Sequence, residues 1–275
     1  MGSDNIKIGA YGPWELVDKA CSKLIDGGDP TSNNYVLYTH PRGESGGSNL
    51  QLAYMRLQNR SESNAVVAMG VRLNTGIWKA GQWVHATTTW TDDTTDFQDV
   101  DATDAALETT TNNDGFLVSS GVLFNGISIN VSTASVGAPV RVIEYSTGTS
   151  SWTALANALS FDGAATNYST SENVIVFVPP TDWARMTSNH GTGVTVGHYG
   201  LRVRATTAPS TAGVAASLSV HRLYFPIEVL SDNNVYEIPL GSMYATLEPN
   251  GDALVAYFSV ANAQNLASAV VRARG

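Results

Sequence analysis

Apolar residues fall along most of this chain in short runs cut by Gly, Asn, Ser and Thr, and the spacing inside the runs is that of strands. In "GISINVST" (126–133), Ile127, Ile129 and Val131 alternate with Ser128, Asn130 and Ser132, which predicts a strand with one face in a core and one in water. "GFLVSS" (115–120) predicts the strand before it, and "AVVAMGVRL" (65–73) and "GQWVHATTTW" (81–90) predict others, with "NTGIWKAG" (74–81) as the turn between them. In "APVRVIEYS" (138–146), Val140, Val142 and Glu144 alternate with Arg141, Ile143 and Tyr145, so both faces are expected to be covered, and "TGTSS" (147–151) closes a hairpin onto "WTAL". "NVIVFV" (173–178) lacks alternation, as a strand buried on both faces does.

Pro179 and Pro180 end that strand, because neither can donate a ladder hydrogen bond. Asp182 is placed to cap the turn that follows, and Trp183 to fold back over the end of the sheet as a plug. In "HYGLRVRA" (198–205), Tyr199, Leu201 and Val203 share one face while His198, Arg202 and Arg204 share the other, which calls for an acidic neighbour. One stretch breaks the β pattern. In "GPWELVDKACSKLIDGG" (12–28), Val17, Ala20, Cys21 and Leu24 lie at helical spacing, with Pro13 suited to a first turn and Gly27–Gly28 to a stop.

These elements predict an all-β protein, an antiparallel β-sandwich or jelly-roll-like fold in two β domains with a short N-terminal helix; the strands have no helices between them, which argues against a parallel α/β sheet. An arm covers 1–30, a first β domain covers 31–90 and is completed by 226–275, and a sandwich domain covers 91–225. "MYATLEPNGDALVAYFSV" reads as a hairpin about Pro249, Asn250, Gly251 and Asp252, pairing with strands from 50–90. The loop "HPRGESGGSN" (40–49) is open to ordering by a partner.

Composition narrows the partners. Only 14% of residues are charged, against roughly 25% in ordinary domains, so Thr, Ser, Asn and Gly carry the polar surface. The net charge is −9, all four Lys lie within the first 79 residues, and the Arg are scattered, which sets nucleic acid aside. Cys21 stands alone, so no intrachain disulfide is expected. The opening "MGSDNIKIGAYG" carries no apolar signal segment, and Ile6 breaks the myristoylation pattern; no run reaches a membrane span, so no membrane partner is expected. The triplets headed by Asn59, Asn130 and Asn167 read as chance matches to the glycosylation pattern.

Asp92, Asp93, Asp96, Asp99, Asp101, Asp104, Glu108 and Asp114 form an acidic run without an internal base, and it lacks the EF-hand order; it reads as a solvated connector held extended by repulsion, and calcium as the lesser reading. His190, His198 and His221 lack a zinc signature, and no nucleophile elbow or nucleotide loop is present, so no catalytic, cofactor-binding or metal residue is assigned, no cofactor is expected, and the protein is read as a non-enzyme. Trp14, Trp78, Trp83, Trp90, Trp152 and Trp183 sit mostly where core packing is the better account than sugar stacking.

The order "WTAL" (152–155), apolar strand, "PPTDW" (179–183) and "YGLRVR" (199–204), entered through "TTWTDDTTDFQDVD" (88–101) and "GFLV" (115–118), resembles a β-sandwich module of tailed-bacteriophage virion proteins over residues 85–225. The resemblance implies a capsid decoration (cement) protein made in the host cytoplasm and seated on the outer face of the phage head, where it binds the major capsid protein and stabilises contacts between its subunits. A homotrimer is expected, since shells offer three-fold sites and closed symmetry favours matching oligomers. The same likeness fits a tail, baseplate or receptor-binding subunit, and a carbohydrate-binding sandwich is the third reading.

Overall fold

The computed structural model describes residues 14–19, 34–39, 50–99, 104–156, 158–161, 168, 171–239, 246–247, 252–259 and 266–274, with side chains placed within 56–99, 104–156, 158, 168, 173–222, 229–237 and 252–259. The chain divides into two compact units, one of residues 1–74 with 224–275 and one of residues 75–223. The first unit opens with β1 (Trp14–Lys19), β2 (Asn34–Thr39), β3 (Leu50–Gln58) and β4 (Ala65–Arg72). The chain then enters the second unit with β5 (Trp78–Val84), β6 (Thr89–Asp92), the short helix α1 (Thr94–Gln98), β7 (Ala105–Ala106), β8 (Gly115–Ser120) and β9 (Gly126–Thr133). There follow β10 (Val140–Thr147), β11 (Ser151–Ala154), β12 (Leu159–Phe161), β13 (Ser171–Val176), β14 (Tyr199–Thr207) and β15 (Val214–Leu230). The return to the first unit adds β16 (Val235–Pro239), β17 (Thr246–Leu247), β18 (Ala253–Phe258) and β19 (Leu266–Arg274).

In the first unit, β3 is flanked by β19 and β16, with β1 beyond β19, and β17 also pairs with β3. A separate run places β18 between β4 and β2. All six residues of β18 are buried, the continuous apolar run of a strand covered on both faces. Asn59 is 0% exposed, and its side chain donates to the carbonyls of Ser63 and Leu230 while accepting from Ser61, so this polar residue ties two turns together inside the unit.

Two expectations for this unit are corrected. Trp14–Lys19 is a strand, paired antiparallel with β19 from Trp14↔Arg274 to Lys19↔Ala269, so the helix expected over 12–28 does not form there. Pairing with a long neighbour overrides a helical spacing this short, which apolar periodicity alone cannot tell from a strand; residues 20–28 lie outside the described residues, as does the 40–49 loop. The strands around Pro249–Asp252 do not form a hairpin with each other, because β17 pairs with β3 whereas β18 pairs with β2 and β4.

The second unit is an antiparallel sandwich. One sheet runs β11-β10-β14-β8-β5-β6, and the other runs β12-β13-β9-β15 with β7 beside β15. The chain crosses between the sheets from β8 to β9, β9 to β10, β11 to β12, β13 to β14 and β14 to β15, which is sandwich connectivity. On β9, Ile127, Ile129 and Val131 are buried and Asn130 and Ser132 exposed, as their alternation requires, but Ser128, expected on the water face, is buried and hydrogen-bonded to His221. This unit starts at Thr75, not near residue 91. β5 belongs to it because its backbone pairs with β8 from Trp78↔Ser120 to Trp83↔Gly115, so only the first residues of "NTGIWKAG" are a turn.

Strand register fixes the two ends of this sandwich. Val176 and His221 both face Gly126, and Tyr199 faces Ser120, so the connections 121–125 and 177–198 emerge at one end. The β10–β11 turn lies there too, since Thr147 pairs with Ser151 and also bridges to Trp183.

Candidate docking surface

The end just defined is built on Trp183. Pro180 accepts a hydrogen bond from the Trp183 backbone at 3.3 Å, so the double proline closes a turn that sends the indole back over the sandwich. The ring packs at centroid distances of 5.0 Å from Phe124, 5.6 Å from Phe177, 5.8 Å from Tyr199 and 6.3 Å from Tyr145. Its Nε1 donates to the Gly200 carbonyl at 3.1 Å, which satisfies the polar end of a side chain only 7% exposed. Asp182 stays exposed and accepts from the Tyr145 hydroxyl at 3.0 Å. Ser146 links the plug to β14, with its Oγ donating to the Ala184 carbonyl and accepting from the Gly200 amide.

Aliphatic side chains stand out on this platform. Val122 and Leu123, next to buried Phe124, are 37% and 43% exposed, and Val178, next to buried Phe177, is 56% exposed; Val196, 63% exposed, belongs to a different loop, which packs on Trp83, Trp90 and Leu117. The Val196 loop is held firmly from below. Gly197 donates to the Met186 carbonyl, Thr192 exchanges backbone bonds with Thr88 and Trp90, and Val194 is buried with Trp83, Trp90, Leu117 and Met186. Gly193 adopts φ +86, and a Cβ there would lie 2.3 Å from the Trp90 carbonyl oxygen, so only glycine fits this close approach. The loops are thus ordered by aromatic packing underneath while presenting apolar atoms to solvent.

Beneath the loops the charged residues are committed to one another. Glu144 on β10 accepts from Arg202 Nε at 2.6 Å and from Arg204 at 2.8 and 3.0 Å, so the acidic neighbour that the Arg face of β14 calls for is on the adjacent strand. The Arg202 guanidinium lies 4.4 Å from the Trp152 ring centroid and 4.9 Å from that of Trp83, a cation resting against two adjoining indoles. Burial works against ionisation of Glu144, but hydrogen bonds from Arg204 and Arg202 outweigh it and hold the carboxyl below its ordinary value.

The acidic run is not a solvated connector throughout. Glu108 and Arg141 form an ion pair at 2.5 Å with both side chains 1% exposed, and Arg141 stacks over Tyr168 at 3.9 Å. Asp114 is buried and accepts from the His85 amide and the Thr109 hydroxyl. Asp92 pairs with Lys79 at 2.9 Å, and Asp93 accepts from the Gln82 amide ahead of α1, whose Phe97 is buried against Phe116. Asp104 accepts from the Ser132 hydroxyl, Asp96 lies within α1, Asp99 follows it, and Asp101 falls outside the described residues. The run has no base of its own, but its partners Lys79 and Arg141 arrive from other strands.

The histidines are likewise dispersed. His190 caps a turn, His198 lies 3.4 Å from the Ser119 hydroxyl, and His221 shares a 2.8 Å hydrogen bond with Ser128. Among the described residues no group of three or more His, Cys, Asp or Glu is placed to hold a metal ion, and no helix is long and apolar enough to cross a membrane. Trp78, Trp83, Trp90 and Trp183 are all buried in the core and Trp152 is half-buried over Arg202, so these five indoles serve packing; the Trp14 side chain lies outside the described ones. No family model, curated protein or solved structure matches the chain.

Proposed function

We propose that the protein is a capsid decoration protein of a tailed bacteriophage, which binds the outer face of the head and stabilises contacts between major capsid subunits. The observation that carries the reading is the set of exposed aliphatic residues Val122, Leu123 and Val178, on loops packed over Trp183 at one end of the second unit. A rigid apolar surface is what a permanent structural contact needs, because burying it costs little ordering entropy. Stable interfaces bury about 1,600 Å², more than three aliphatic side chains supply. A homotrimer meets the shortfall by presenting three such ends at once, which raises their effective concentration on the shell. The acidic, lysine-poor chain suits a partner that is protein rather than nucleic acid.

The Leu123→Asp/Val178→Asp double variant tests this. Both side chains are exposed and tied to no hydrogen-bond network, so stability stays within about 0.5 kcal/mol of wild type. Binding to capsids stripped of the protein, followed by co-sedimentation, falls by at least roughly 30-fold, the loss of an interface hot spot worth about 2 kcal/mol. Wild-type binding by the double variant removes this end of the sandwich from the mechanism.

A further inference from the structure

We propose that His190 is an acid-sensitive latch on the segment 187–197: neutral, it closes the turn that holds the segment in place, and protonated, it releases it. The inference goes beyond the decoration reading and does not depend on it.

The latch is local geometry. Ser188–His190 form a single 3₁₀ turn whose capping box is completed by the histidine itself: the Thr187 amide donates to His190 Nδ1 at 3.1 Å, and the Asn189 amide donates to Thr187 Oγ1. An amide donor at Nδ1 requires a lone pair there, so the ring is neutral with its proton on Nε2. That Nε2 is buried with no hydrogen-bond partner, in a residue 3% exposed. The ring stands edge-on to Trp152 at 5.6 Å, and Trp152 Nε1 donates back to the His190 carbonyl at 3.3 Å. The charged group facing the ring is Arg202 of β14, itself paired with Glu144 of β10; β11 contributes the uncharged Trp152, and β5 contributes Trp83 beside Gly191.

A proton on Nδ1 sets two N–H groups against each other and adds a second cation near Arg202; the acceptor it meets, Thr187 Oγ1 at 3.4 Å, already accepts from the Asn189 amide. The Thr187 amide hydrogen bond that closes the turn is then lost. What the turn holds is consequential, because Thr192, Val194 and Gly197 anchor a loop that covers Trp83, Trp90 and Leu117 and presents Val196 to solvent. Burial pushes the His190 imidazole below its ordinary value of 6.5, and the charge of Arg202 acts in the same direction, while the backbone of Thr147, Thr187 and Ser151, which can accept from the ring, opposes them only in part. With the folded value lower than the unfolded one, the latch contributes in full above about pH 6.5 and is lost as pH falls through the folded value.

The test is a pH titration of the full chain by NMR, following the His190 ring, the Thr187 amide and the Trp152 indole N–H. In the wild type all three move together with a midpoint below pH 6.5. Amide exchange in 187–197 then rises at least roughly tenfold from pH 7.5 to 5 beyond its intrinsic dependence, the factor that one pKa unit of coupling carries. His190→Gln keeps an acceptor but cannot titrate, and its Thr187 and Trp152 signals stay flat over that range, whereas His198→Gln retains the transition. The latch is refuted if His190 titrates at or above 6.5, if it fails to titrate before the protein unfolds, if the Thr187 amide ignores its titration, or if His190→Gln keeps the transition. The wild-type titration decides alone should the variant not fold.

Discussion

Trp183→Ala lowers the stability of the second unit by about 3–5 kcal/mol, the range for removing a large buried aromatic. The magnitude follows from where the ring sits. It touches Phe124, Phe177, Tyr145 and Tyr199, from four different connections and strands, and its N–H satisfies the Gly200 carbonyl. Truncation opens a cavity under both exposed loops and leaves that carbonyl unpaired, so two penalties act together. Urea unfolding followed by far-UV circular dichroism measures the loss. On the decoration reading capsid binding falls with it, because Val122, Leu123 and Val178 flank Phe124 and Phe177, which pack on the indole. Trp183→Phe restores most of the packing and loses only the hydrogen bond, worth about 1 kcal/mol. A loss below 1 kcal/mol in Trp183→Ala contradicts the plug.

Glu144→Ala is the second large effect, again about 3–5 kcal/mol, since it strands the Arg202 charge in a site 7% exposed against two adjoining indoles. Arg204 suffers less, because it keeps Asn113 as a partner and is the more exposed of the two. Replacing both ends, as Glu144→Leu with Arg202→Met, costs less than Glu144→Ala alone, because an apolar pair leaves no buried charge uncompensated. The pH dependence has a defined sign. The Glu144 carboxyl is held below its ordinary value of 4.5, so its contribution is whole above that pH and is lost as pH falls through the folded value. Stability curves from pH 7 to 3 therefore fall more steeply for wild type than for the Leu/Met pair. Equal slopes in the two proteins contradict the assignment.

Where one residue's chemistry forces the outcome, the structure was legible in the sequence. Prolines cannot continue a ladder, so β13 ends before Pro179–Pro180, and Trp183 falls back as the alternation of its surroundings allows. The two Arg of β14 demand an acid on their face, and it is found on the next strand. What depended on distant partners was not legible. Glu108 and Asp114 looked like part of a charged connector until Arg141 and the His85 amide were brought to them across the sandwich. Trp14–Lys19 opens a stretch whose Val17, Ala20, Cys21 and Leu24 suit a helix, and its extended form comes from pairing with a strand some 250 residues away. The exposed end was the hardest to see. Val176 and Val178 are two residues apart and point the same way by alternation, yet one is 0% exposed and the other 56%, because the sheet stops between them.

The central claim is that this chain is a repeated component of a phage head. Quantitative mass spectrometry of purified particles, counting this chain against the major capsid protein, tests it most directly. The account predicts copies on the order of tens to hundreds, in a fixed ratio to the shell, as a decoration protein placed by capsid symmetry requires. A small count set by the symmetry of the tail would instead assign the same sandwich to a tail or baseplate subunit, and absence from the particle would contradict the account altogether.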